Sequence, residues 1–161
     1  MPVNHLEQLI AEWYEFQGYF IRRNVLVGKL PGGGFRCELD IVAFHPIDKK
    51  LVQIEPSLDA DSWAKREIKY SKKFEMGRKY IPALFKGIDI PTEIEQIAVF
   101  VFASKAYHQK IGGGKVMLVS DLLKEIIDGL AEYKIASNIV PEQYPLLRTI
   151  RFIAEYKDQI F

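Results

Sequence analysis

One cysteine, three histidines and no long apolar run set the first limits on this chain of 161 residues. Cys37 alone cannot close an internal disulfide, which suits a reducing interior and makes the cytoplasm the expected location. His5, His45 and His108 have no metal-ligand spacing with one another or with Cys37, so no zinc cluster is expected. No stretch approaches the roughly 18 uninterrupted apolar residues of a spanning helix, so no membrane partner is expected. The opening run Met1-Pro2-Val3-Asn4-His5-Leu6-Glu7 has no basic region followed by an apolar one, and no secretory leader is expected. A G-x-S-x-G elbow is absent, which leaves a serine hydrolase unsupported. Gly112-Gly113-Gly114-Lys115 lacks the second spaced glycine and the Ser or Thr of a phosphate loop, and reads as a hairpin turn. Net charge is also scarce: +1 argues against a generic coating protein for nucleic acid.

What is present describes an ordinary folded domain. Hydrophobic residues make up 48% and charged residues 27%, the balance of a soluble globular chain long enough to bury a core. Asn4 is placed to cap a helix with Leu6, Leu9, Ile10, Trp13 and Phe16 at helical spacing, closed by Gly18. Three strands are expected next, Tyr19 to Val27, Phe35 to Phe44 and Leu51 to Glu55, joined by the Pro31–Gly34 and His45–Lys50 turns. Pro56, which has no amide hydrogen, is expected to end the third. A helix capped by Asp59 or Asp61 should follow, with Trp63, Tyr70, Phe74 and Ile81 on its apolar stripe, and Pro82 and Gly87 marking its end and the start of a loop. Ile97 to Ala103 reads as a strand buried on both faces, and Lys115 to Val119 as a short fifth strand. Ser120 or Asp121 should cap the next helix, and a last amphipathic helix is expected near Leu146 to Tyr156. The expected architecture is therefore α/β: a mixed central sheet of about five strands flanked by helices. Residues 1–161 form one domain, of which about 120–161 is a helical C-terminal extension packed on the core.

Charge placement says more than the total. From Lys65 to Lys86 the basic residues are Lys65, Arg66, Lys69, Lys72, Lys73, Arg78, Lys79 and Lys86, opposed by Glu67 and Glu75 alone. Such a surface attracts a phosphate backbone, although a solvated helix face has the same composition. Acids stand out where strands should be buried: Glu38 and Asp40 within the second strand, Glu55 at the end of the third. A carboxylate there is costly unless it meets a cation or several donors. Asp40 and Glu55 lie on neighbouring strands of one hairpin, where facing side chains come within ~5 Å. Two such groups supply the hard oxygen ligands that Mg²⁺ prefers, and a metal there would polarise a phosphoryl oxygen and acidify a bound water. The competing reading is ionic: Glu38 and Asp40 pair with Arg36 or Arg23, and Glu55 with a helix lysine.

A first helix bearing a glutamate, then Glu38-Leu39-Asp40-Ile41-Val42, then Val52-Gln53-Ile54-Glu55-Pro56-Ser57 and a basic helix, resembles the PD-(D/E)XK nuclease superfamily. Restriction endonucleases and archaeal Holliday-junction resolvases belong to it. The likeness covers roughly residues 4 to 105 and rests on short motifs. It implies a restriction-endonuclease-like fold and Mg²⁺-dependent hydrolysis of DNA phosphodiesters, with Mn²⁺ as a substitute metal. By it Asp40 and Glu55 hold the metal, Glu38 and Glu7 assist, and Glu12 is a weaker stand-in for Glu7. Homodimers are implied too, since cutting two strands takes two sites. The sequence departs from the pattern at Ser57, where the family carries its catalytic lysine. A hydroxyl cannot orient water beside a developing phosphorane as an ammonium does. Lys69 from the following helix is the first choice to replace it, with Lys65 or Arg66 behind, and Lys65, Arg66, Lys72, Lys73, Arg78 and Lys79 are expected to contact nucleic acid. The alternatives are that metal suffices, or that the fold is a catalytically degenerate module that binds nucleic acid or a protein partner.

Overall fold

A computed structural model describes residues 4–104, 108–133 and 139–161. Residues 1–3, part of the run read above for a leader and the start of the expected domain, lie outside the described residues. The order is α1 (His5–Phe16), β1 (Phe20–Lys29), β2 (Phe35–His45), β3 (Lys50–Ser57), α2 (Trp63–Leu84), β4 (Glu95–Phe100), β5 (Lys110–Ile111), β6 (Gly114–Leu118), α3 (Val119–Ala131) and α4 (Pro145–Ile160). The strands form one mixed α/β sheet in the order β1-β2-β3-β4-β6-β5. It has six strands where about five were expected, because Gly112 and Gly113 turn the chain with φ of 54° and 82° and give β6 a two-residue partner, β5.

The three antiparallel strands β1, β2 and β3 are joined by short turns, while α2 carries the chain over to β4, which runs parallel to β3. On one face Ile41, Ala43, Val52, Ile54, Ile97 and Val99 meet α1, α3 and α4 through Ile10, Trp13, Leu122, Ile126 and Leu147. The C-terminal helices thus complete the same core as α1. The opposite face belongs to α2, whose Tyr70, Phe74 and Ile81 cover Val42, Phe44, Leu51, Ala98 and Phe100. Alternation along β2 and β3 follows: Val52 and Ile54 face α1, so Gln53 and Glu55 face α2. No helix among the described residues is long and apolar enough to cross a membrane.

The first cap is where it was expected, and several later boundaries differ. Asn4 caps α1, its Oδ1 accepting from the amides of Leu6 and Glu7. Ser62, not Asp59 or Asp61, caps α2. Pro82 lies inside the last turn of α2. The cap of α3 is Leu118, whose amide donates to Asp121 Oδ2 at 3.2 Å. Pro56 does not end β3: the ladder with β2 stops at Ile41–Ile54, but β3 stays paired with β4 through Ser57. Beyond Ile54 the strand has a partner on one side only, where a proline is tolerated.

Glu12 is occupied by the fold. Its buried carboxylate accepts from the Leu147 amide at 2.9 Å, in the first turn of α4, and from Gln8 Nε2 at 3.1 Å. A negative group at a helix N-terminus satisfies a donor the helix leaves open. Glu12→Ala is expected to cost about 1–3 kcal/mol in a urea melt, the price of a buried donor without a partner.

Candidate metal and nuclease site

Asp40 and Glu55 occupy the point at which two strands part. Continuing the β2–β3 register past Ile41–Ile54 would set Asp40 opposite Glu55, but the backbone ladder ends there. The side chain of Glu55 takes over the role: both its oxygens lie 3.3 Å from the Asp40 amide nitrogen, which donates to them. Glu55 is fully buried, and Asp40 is 17% exposed at its side chain. The two carboxyl groups therefore converge on the α2 side of a fork that opens towards solvent through Asp40.

The ammonium that joins them comes from Lys73. Its Nζ lies 2.6 Å from Glu55 Oε2 and 3.0 Å from Asp40 Oδ1. Lys69, expected here, is one helical turn away and pairs with Asp59 at 3.5 Å on the surface. Positions i and i+4 share a helix face, so sequence spacing admits either lysine, and the docking of α2 on β3 selects the second. Lys69→Ala is accordingly expected to change stability by no more than about 0.5 kcal/mol, as for other exposed ion pairs, and to leave any metal-dependent activity intact in the assay described below.

Three acids share this corner. Glu7, in the first turn of α1, accepts from Asn4 Nδ2 at 2.8 Å and faces Arg23 Nη2 at 3.9 Å. Arg23 is fixed in turn by Gln8 Oε1 at 2.7 Å. Burial, and then the charge of Asp40, push Glu7 above the usual carboxylate range despite Arg23. Burial also pushes Glu55 up, to about 8: Lys73 opposes the shift, and the nearby Asp40 adds to it. Burial works to lower Lys73 as well, but Glu55 and Asp40 outweigh it and hold the ammonium above its ordinary value. Lys73 is thus charged, and with Arg23 it faces three acids, of which Glu7 and Glu55 are pushed towards the neutral form.

Acids held back from ionising by burial are the observation against which a metal can be tested. Hard cations take carboxylate oxygens, and a divalent ion held by Asp40 and Glu55 would favour the ionised form of Glu55. The donor set fits Mg²⁺ or Mn²⁺ as a two-carboxylate site completed by water, with Glu7 nearby. Among the described residues no group of three or more His, Cys, Asp or Glu side chains is arranged as a ready cage.

The other expected residues fall outside this cluster. Glu38 is exposed, across from Leu26 in the hairpin. Arg66 does not face solvent: Nη2 donates to the Asp59 and Phe102 carbonyls at 3.1 and 2.6 Å, and its guanidinium lies over the Phe100 and Trp63 rings at 4.3 and 4.9 Å. Lys65 is exposed but paired with Asp61 at 2.8 Å. Lys72 and Lys79 are exposed. Arg78, also exposed, donates to Gln96 Oε1 at 2.7 Å. Ser57, at the lysine position of the family pattern, accepts from the Asp59 amide at 3.0 Å and shapes the turn into α2.

Two residues that sequence reading passed over complete the site. Gln53, fully buried, donates Nε2 to Glu55 Oε1 at 2.9 Å and to the Lys73 carbonyl at 3.2 Å. Gln96, opposite it in register, donates Nε2 to Gln53 Oε1 at 2.7 Å and to the Phe74 carbonyl at 2.8 Å. The signal was there: an uncharged polar residue two positions before Glu55 lies on its face of the strand. No family model, curated protein or solved structure matches the chain. The functional reading therefore rests on the geometry and on the resemblance of the short motifs.

Proposed function

We propose that this chain is a metal-dependent endonuclease of the PD-(D/E)XK type, hydrolysing DNA phosphodiester bonds. The observation that carries the reading is the convergence of Asp40 and Glu55 at the β2–β3 fork with the Lys73 ammonium on both. The order of elements and the acid on α1 agree with the superfamily pattern, and Lys73 of α2 stands in for the strand lysine that Ser57 replaces. In this reading Asp40 and Glu55 would hold Mg²⁺ or Mn²⁺, which would supply Lewis acidity when bound. Lys73 orients the attacking water and offsets charge developing on the phosphoryl oxygens. Glu7 draws on the same water network, and Lys72 and Lys79 steer the DNA backbone.

A second reading is favoured by one specific observation. At 2.6 and 3.0 Å, Lys73 stands where a shared ion would bind, as in a degenerate module that has replaced its metal with an internal cation. Such a module would bind nucleic acid or a protein partner without cutting. Cleavage in Mn²⁺, on a panel of linear, flap and four-way branched DNAs, separates the two. The nuclease reading predicts metal-dependent cutting of at least one substrate, lost in Asp40→Ala and Glu55→Ala. Salt-sensitive binding with no cutting supports the module, and cutting that persists in both variants refutes this site.

A further inference from the structure

Beneath α2 a line of hydrogen bonds leads from the carboxylates to the far side of the helix. Arg78 Nη1 donates to Gln96 Oε1, Gln96 Nε2 to Gln53 Oε1, and Gln53 Nε2 to Glu55 Oε1, at 2.7, 2.7 and 2.9 Å. Gln53 is fully buried and Gln96 nearly so. Each amide orientation is determined by its neighbours: Gln96 must present its nitrogen to Gln53 because its oxygen receives Arg78 and its nitrogen also serves the Phe74 carbonyl. Gln53 must then present its oxygen to Gln96 and its nitrogen to Glu55. The helix is shaped to this arrangement. Gly77 packs on the Gln53 carboxamide so closely that a Cβ there would overlap Gln53 Oε1.

Burying two carboxamides between a helix and a sheet is costly unless they are fully bonded. An apolar pair would serve packing alone. We infer that Gln53, buttressed by Gln96 and Arg78, is a positioning residue that fixes the orientation of the Glu55 carboxylate for a divalent cation. The inference rests on the metal reading above and extends it to residues that touch neither metal nor substrate. With Gln53 donating to Oε1, Oε2, which accepts from Lys73 at 2.6 Å, is the oxygen an ion would take once the ammonium moves aside. Partners of this kind change metal affinity because a ligand free to rotate must be ordered on binding. The relay also gives Arg78 a role other than the backbone contact its charge suggests.

The test is Mn²⁺ affinity, by calorimetric titration, in the full chain and in Gln53→Met, Gln96→Met and Arg78→Met. Titrations run well below each variant's own melting temperature, so that lost stability alone does not move the result. Wild type should bind, and Gln53→Met should weaken binding by roughly 10–100-fold, the range for loss of a ligand's outer partner. Gln96→Met should lose less, and Arg78→Met, at the exposed end, least. Arg78→Met removes no buried group, so the gradient stays readable even if an inner variant fails to fold. Near-normal affinity in Gln53→Met, or equal effects along the relay, overturns the positioning role while leaving the metal site standing. Absence of binding in wild type overturns both.

Discussion

On the nuclease reading Lys73→Met is expected to separate cleavage from metal binding: cleavage should fall by roughly 10²–10³-fold, while Mn²⁺ should bind more tightly than to wild type. The rate loss follows from removing the ammonium nearest both carboxylates. The tighter binding follows from removing the cation with which a metal must compete, since Lys73 Nζ lies 2.6 Å from Glu55 and 3.0 Å from Asp40. Without metal the same change leaves a fully buried Glu55 beside Asp40 with no counter-ion. A buried pair that loses one member costs about 3 kcal/mol at the lower end of the usual range, and the lower end applies because Lys73 and Asp40 are each 17% exposed. The metal-free variant should therefore melt well below wild type, and Mn²⁺ should recover much of the difference. A degenerate module predicts the same metal-free loss with no recovery. Paired melting curves with and without Mn²⁺ decide between them.

The second large effect concerns Asp40. Saturating Mn²⁺ at 100 times its dissociation constant stabilises a one-site protein by about 2.7 kcal/mol, roughly 5–10 °C in a domain of this size. Asp40→Ala should abolish that gain. Its metal-free stability should change much less, because Lys73 keeps its 2.6 Å contact with Glu55 and the neighbouring negative charge that helps raise Glu55 is gone. A shift that survives Asp40→Ala would place the metal elsewhere. Melting by differential scanning calorimetry, with and without Mn²⁺, reads both quantities.

How much of this was legible in the residues depends on the kind of periodicity involved. The alternation of β2 and β3 around a short turn predicts that Asp40 and Glu55 approach each other, and the sheet brings them together because register in a hairpin is set locally. The helix could not be phased in the same way. Lys69 and Lys73 repeat at one turn and share a face, and the choice depends on where Ser62 starts α2 and how Gly77 settles on Gln53. Glu12 read as a weaker stand-in for Glu7, but the two are five residues apart on α1 and point to different neighbours, Leu147 and the Asp40 corner. Arg66 read as a nucleic-acid contact on charge alone, and two backbone carbonyls and two aromatic rings that claim it come from distant segments. The glutamines were overlooked because an amide among apolar strand residues carries no charge to attract notice. Their importance emerges only when β3 and β4 are in register beneath the helix.

The most direct measurement of the central claim is a crystal soaked in Mn²⁺ and recorded at a wavelength where manganese scatters anomalously. One anomalous peak is expected at the β2–β3 fork, within coordination distance of Asp40 and Glu55, with Lys73 displaced from between them. A fork with no peak at saturating Mn²⁺, its ammonium still bridging both carboxylates, would contradict that claim.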